Sequence, residues 1–170
     1  MRLLKLLDDK NYEPGWKRSY REAVRAVILE NGKIAMVKSL KEGWYKFPGG
    51  GIKAKESHED ALIRETMEET GLSIDPESIR EFGLVMERRK GVYRPEEIFQ
   101  QSSYYYRADV FAGVSSQQLD KYEADLGYML EWADIREALD TDRRLAKESE
   151  NTFLVREATV LQTLYAAYNK

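Results

Sequence analysis

From Arg64 to Thr70 the chain reads RETMEET, which sets Glu65, Glu68 and Glu69 within five positions beside one arginine. Like charges at helical spacing cost roughly 0.3 kcal/mol per pair on a surface helix. A chain that crowds carboxylates this way gains from a cation that compensates them. Mg²⁺ suits the arrangement, because it takes oxygen ligands in near-octahedral geometry from a few carboxylates, phosphate oxygens and retained water. Taken alone, an acidic cluster is more often a solvated helix face, so the surroundings decide.

Those surroundings are specific. Ser57 is an N-cap residue, Glu59 and Asp60 suit the positive end of a helix, and Gly71 suits its C-terminal exit. The spacing therefore predicts a helix over 57–70. On a wheel of ~100° per residue with Ala61 at zero, Leu62, Ile63, Thr66, Met67 and Thr70 fall between roughly 100° and 240° and form a core stripe. The three glutamates fall between roughly −20° and 80°, on the side expected to face away from the core. Upstream lies FPGGGIKAKE, Phe47 to Glu56. Pro48 holds Phe47 extended, and the three glycines allow backbone paths closed to other residues.

Gly50, Glu56, Arg64-Glu65, Glu68-Glu69, Gly71 and Leu72 stand at the spacings of the Nudix hydrolase signature, and the chain resembles that family. One position departs: Thr66 stands where the pattern prefers an aliphatic residue, and its methyl group can still face a core. The resemblance extends to WYKFPGG before the box, the hairpin upstream, and a Trp-ended strand with a helix downstream. It implies hydrolysis of a nucleoside diphosphate linked to another group X, such as a nucleotide sugar, ADP-ribose, a dinucleotide or a (d)NTP, with Mg²⁺ or alternatively Mn²⁺. It also implies roles. Glu68 and Glu69 are the main metal ligands and Glu65 is a ligand or the general base. Arg64 orients a box glutamate, Glu56 supports it without binding metal, and the Gly50 carbonyl lies near the cation. Many members add an acidic group from a loop before the Trp-ended strand; here Glu123 is favoured over Asp125. A nucleotide-binding sensor with the same fold but no hydrolysis is the alternative function, although the box glutamates are intact. An isomerase of the isopentenyl diphosphate type would need a cysteine that the chain lacks.

The elements that must position these residues can be read as well. YREAVRAVIL and KIAMVK are β-rich runs joined by Asn31-Gly32, a strong hairpin signal. IREFGLVMER and IFQQSSYYYRADVF read as strands around a basic loop holding Arg88, Arg89, Lys90, Arg94 and Pro95. YMLEWADI reads as a strand running into a short helix near 134–139, and a last helix is expected over 152–168 with Leu154, Ala158, Leu161, Tyr165 and Tyr168 on one stripe. The expected architecture is α+β, an α/β/α sandwich with a mixed sheet between helices. Residues 1–19 form an N-terminal extension offering an edge strand and a Pro14–Gly15 turn, and 20–170 form one catalytic domain. Trp44, Tyr45 and the Tyr104–Tyr106 run are expected mainly in the core, and His58 exposed at the helix start.

The composition excludes other classes. The 170 residues carry 27 Lys+Arg against 30 Asp+Glu, a net charge of −3, which argues against a nucleic-acid binder. Without cysteine and with one histidine, the chain lacks the usual ligand set of a zinc site. The apolar start is broken by Lys5 and ends at Asp8, too short for a signal peptide, and no membrane-length apolar run follows. The expectation is a cytoplasmic protein whose partner is a small nucleotide. Dimerisation, which occurs among members of the family, has MRLLKLL as an available segment.

Overall fold

The computed structural model describes residues 1–94, 96–149 and 152–168. Its main sheet has the order β1-β7-β8-β2, from β1 (Leu3–Asp8), β7 (Arg80–Lys90), β8 (Glu97–Arg107) and β2 (Lys17–Val27). β1 runs parallel to β7 and β2 parallel to β8, while β7 and β8 are antiparallel, so the sheet is mixed. A second sheet has the order β10-β4-β3, with β4 (Lys33–Ser39) central, β10 (Tyr128–Ala133) and β3 (Leu29–Glu30) beside it, and β5 (Tyr45–Lys46) also paired to β4. The β3–β4 turn places Asn31 and Gly32 at φ of 50° and 75°, the left-handed pair that a tight hairpin requires. A small pair joins β6 (Leu72–Ile74) to β9 (Val110–Val114).

β2 explains the layering. Every residue from Ala23 to Ile28 is buried, which happens to a strand only when both faces are covered. On one face α1 (His58–Thr70) packs Ala61 and Leu62 against Val24, Ala26 and Ile28. On the other, α3 (Ile135–Glu148) and α4 (Thr152–Tyr168) close over Val27, Met36, Phe47 and Tyr105 with Leu139, Leu161 and Leu164. The result is the expected α/β/α sandwich.

Several expectations need correction. α3 is not a short helix near 134–139; it continues to Glu148. Its inward stripe is interrupted by Asp142, fully buried, which hid the apolar periodicity. Arg88, Arg89 and Lys90 extend β7 and are not a loop. Pro95, assigned to that loop, lies outside the described residues. In α4 the stripe buries Leu154, Ala158 and Leu161, but Tyr168 at its end is exposed. β1 is an edge strand, as expected, and Pro14–Gly15 is a turn. Among the described residues no helix is long and apolar enough to cross a membrane.

Candidate active site

The helix that carries the glutamates is fixed at both ends. The Ser57 hydroxyl accepts the Asp60 N–H at 3.0 Å. At the exit Gly71, in the left-handed region at φ 74°, donates its N–H to the Met67 carbonyl. The side of the helix expected to face away from the core is largely covered as well. Ala61 is completely buried and Glu69 is 1% exposed, because β2 and the glycine loop 49–51 cover it. The carboxylate face is thus an inner wall.

Arg64 gathers three carboxylates. Its Nε and Nη2 donate to the two oxygens of Glu56 at 2.6 and 2.8 Å, and Nη1 donates to Glu65 at 2.6 Å and to Glu68 at 3.1 Å. Nη2 also reaches the Gly51 carbonyl at 3.3 Å. The bidentate bond from Arg64, helped by the Lys53 N–H, pulls the Glu56 pKa down to about 2. A planar guanidinium is suited to this role, since its donors lie in a fixed fork.

Glu69 is held differently. It forms an ion pair with Lys46 and accepts the Gly49 N–H at 2.9 Å. Lys46 lies over the Tyr128 ring at 5.1 Å; burial draws its pKa down against the opposing pull of Glu69. A Cβ on Gly50 would run into the Glu65 carboxylate, so this glycine lets the carboxylate lie flat on the loop. The Gly50 carbonyl accepts the Val24 N–H at 3.0 Å.

Gly50, Glu65, Glu69 and Glu123 line one cavity of about 800 Å³. Arg64 and Glu68 stand behind it, with the Glu68 side chain one-third exposed. Glu123 is on a short helix, α2 (Lys121–Leu126), and not in a loop; it accepts the Asp120 N–H at 2.9 Å in a capping box. Burial and the nearby Glu69 push its pKa up, against that hydrogen bond.

Sequence reasoning missed the residues that brace the opposite wall. Asp142 accepts the Tyr45 N–H at 2.9 Å and Glu157 accepts the Phe47 N–H at 3.1 Å, so α3 and α4 fix the strand leading into the glycine loop. Arg156 bonds Glu157 at 2.7 Å and Glu87 at 2.6 Å. The available signals were charged residues inside apolar runs, as at Arg25 and Lys46, whereas Asp142, between Thr141 and Arg143, carried no such signal. His58 is half-buried and not exposed: its Nδ1 lies 2.7 Å from the Tyr106 hydroxyl, and its ring is 4.5 Å from that of Tyr104. Tyr105, Tyr45 and Trp44 are core residues, and Trp44 also borders the cavity.

A profile of the NUDIX domain matches residues 19–153. The chain belongs to the Nudix family. It is 37% identical over 65 residues to an RNA pyrophosphohydrolase of Marinomonas sp., a match covering 38% of this chain and 39% of that protein. It is 35% identical over 57 residues to an uncharacterized Nudix hydrolase of Bacillus subtilis, covering 33% and 36% respectively. The chain thus aligns with under half the length of these curated relatives. Among solved structures, a NUDIX hydrolase from Nitrosomonas europaea superposes with a TM-score of 0.54 at 22% identity, over 74% of this chain and 79% of that one. A MutT NUDIX hydrolase from Burkholderia pseudomallei gives 0.52 at 22% identity, over 69% and 85%. Both likenesses concern the fold.

The donors fit a hard divalent cation. Glu65 and Glu69 offer carboxylate oxygens to one cavity, Glu123 adds another, and neither thiolate nor imidazole competes for the ion. Among the described residues no three acidic or histidine side chains are placed together to hold a metal ion as they stand. Water and substrate oxygens would complete the shell, as is usual for Mg²⁺.

Proposed function

We propose that this chain hydrolyses the anhydride bond of a nucleoside diphosphate linked to a group X, with Mg²⁺, or alternatively Mn²⁺, as the cation. The observation that carries the reading is the convergence of Glu65 and Glu69 on a glycine-walled cavity while Arg64 fixes Glu65 and Glu68 from behind. Glu65 and Glu69 would hold the cation from the cavity wall, with the Gly50 carbonyl and Glu123 as further oxygens; Glu68, the other expected ligand, stands behind that wall on Arg64 and would have to turn from it to join them. When bound, the ion neutralises phosphoryl charge and acidifies water. The protein's own residues position the reactants. Arg64 aims the carboxylates, and the Lys46 ammonium balances Glu69 where water cannot. In the reaction a water oxygen bonds to phosphorus and the bridging P–O bond breaks. The electron pair leaves with the departing phosphate, and the water proton passes through a box glutamate to solvent.

The relative named an RNA pyrophosphohydrolase puts a 5′-phosphorylated RNA end on the substrate panel beside nucleotide sugars, dinucleotides and nucleoside triphosphates. The test is release of phosphate or nucleoside monophosphate across that panel, with Mg²⁺ and with EDTA, for the native chain and for Glu65→Gln and Glu68→Gln. Mg²⁺-dependent turnover reduced at least about 100-fold in both variants is expected. Saturable nucleotide binding without turnover of any substrate would instead make the protein a sensor.

A further inference from the structure

The glycine strip 49–51 separates two sets of charge. Glu65 and Glu69 stand on one side, and β2 presents Arg21 and Arg25 to the same cavity on the other. Arg25 is 5% exposed, donates one Nη to the Gly49 carbonyl, and keeps a buried Nε–H with no acceptor. Arg21 lies beside Gly51, where a Cβ would stand 3.6 Å from its Nη2, and its side chain donates to Gln101 at 3.3 Å. From β7, Arg89 enters the cavity over the Phe99 ring at 4.6 Å.

Among the described residues none of these three guanidinium groups has a carboxylate within ion-pair distance, whereas Lys46 is matched by Glu69, and Arg156 by Glu87 and Glu157. Crowding by the cavity walls, together with the like charges of Arg25 and Arg156, draws the Arg21 pKa down. Exposed arginines without partners are ordinary. A buried one such as Arg25 is not, because an unpaired charge away from water is costly.

We propose that this arginine wall seats a phosphoryl group beyond the anhydride bridge that the glutamate side handles, so that the substrate class is a 5′-triphosphate and not a diphosphate capped by a neutral sugar. The inference rests on the hydrolase reading above. A diphosphate between two neutral groups leaves no anion for the wall once the bridge lies against the glutamates. A terminal phosphate supplies one, with oxygens suited to bidentate pairing with arginine.

The test separates the two readings. Binding of inorganic tripolyphosphate and of pyrophosphate is measured by calorimetry in EDTA for the native chain, Arg21→Gln and Arg89→Gln. Steady-state hydrolysis with Mg²⁺ compares a nucleoside triphosphate, a 5′-triphosphorylated oligoribonucleotide and a nucleoside diphosphate sugar. Tripolyphosphate should bind about tenfold more tightly than pyrophosphate, a margin lost in either variant. KM for the triphosphates should rise about tenfold in Arg21→Gln, more than for the sugar nucleotide, with a smaller change in kcat. Preference between the two triphosphate substrates tells a free nucleotide from an RNA end. Arginine-dependent tripolyphosphate binding without any turnover would leave the wall standing and remove the hydrolase reading. Turnover with tripolyphosphate affinity unchanged in both variants, or preference for the sugar nucleotide, would overturn the wall. Arg21 makes no ion pair among the described residues and the residue as a whole is exposed, so its variant tests the site without loading the fold.

Discussion

Gly50 and Glu65 belong to different elements, yet a single Cβ at position 50 would occupy the space of the Glu65 carboxylate. The φ of Gly50 lies outside the left-handed region, so alanine meets no backbone strain there. The atoms it displaces are the far end of a flexible side chain. Gly50→Ala should therefore fold normally and move Tm by less than about 4 °C. The displaced carboxylate would leave its place beside the loop and loosen its bond to Arg64. Since misplacement by an ångström can remove about two orders of magnitude from a rate, kcat/KM with Mg²⁺ should fall roughly 100-fold. Parallel melting curves and kinetics check this; an active variant would show that the Glu65 position seen here is not the working one.

Among the elements, α3 shows what a one-dimensional reading loses. Asp142 sits at a core position of that helix, fully buried, with one oxygen on the Tyr45 N–H and the other without a partner. Burial, reinforced by Glu157 and opposed by the Tyr45 bond, pushes its pKa up to about 8 from 3.8. A folded-state pKa above the unfolded one means that the native state keeps a proton which the unfolded chain releases. The associated stability is complete below pH 3.8, declines as pH rises, and is lost by about pH 8. Asn keeps the acceptor for Tyr45 and does not titrate. Asp142→Asn should therefore gain on the native chain steadily from pH 4 to pH 8 in denaturant midpoint, and parallel curves for the two proteins would refute the assignment. The same residue explains why α3 was under-read, since a carboxylate in the stripe reads locally as the end of an amphipathic pattern. α1, α4 and the β3–β4 hairpin were legible because their signals are local: caps, a Gly exit, a 3.6-residue stripe, an Asn-Gly turn. The box residues were legible by spacing, but the burial of Glu69 was not. A wheel allots one packed face to a helix, whereas here Gly49 and Lys46, some twenty positions upstream, cover the other. Arg25 and Lys46 were overlooked for the same reason: each is one charge in an apolar run whose purpose is set by strands distant in sequence.

At the scale of the whole molecule, the first eight residues close the side of the main sheet. β1 pairs in parallel with β7, Leu4 and Leu7 pack on the core beneath α4, and Asp8 meets Arg88 at 3.4 Å. Lys5 lies on this outermost strand, with Arg2 just before it, beside the exposed Leu3 and Leu6; charge on an edge strand discourages pairing with another chain. Deleting residues 1–8 would remove two partly buried leucines, a loss of roughly 2–4 kcal/mol, and lower Tm by roughly 5–15 °C. It would also bare β7, whose central residues are largely apolar and whose backbone would then present a long unpaired edge. The truncated chain should self-associate with rising concentration in light scattering, while the full chain at the same concentrations does not change in mass. A truncated chain that stays monomeric and melts at the native temperature would mean that β1 is an ornament on the sheet. A full chain that already self-associates would mean that the charges on β1 do not protect its edge.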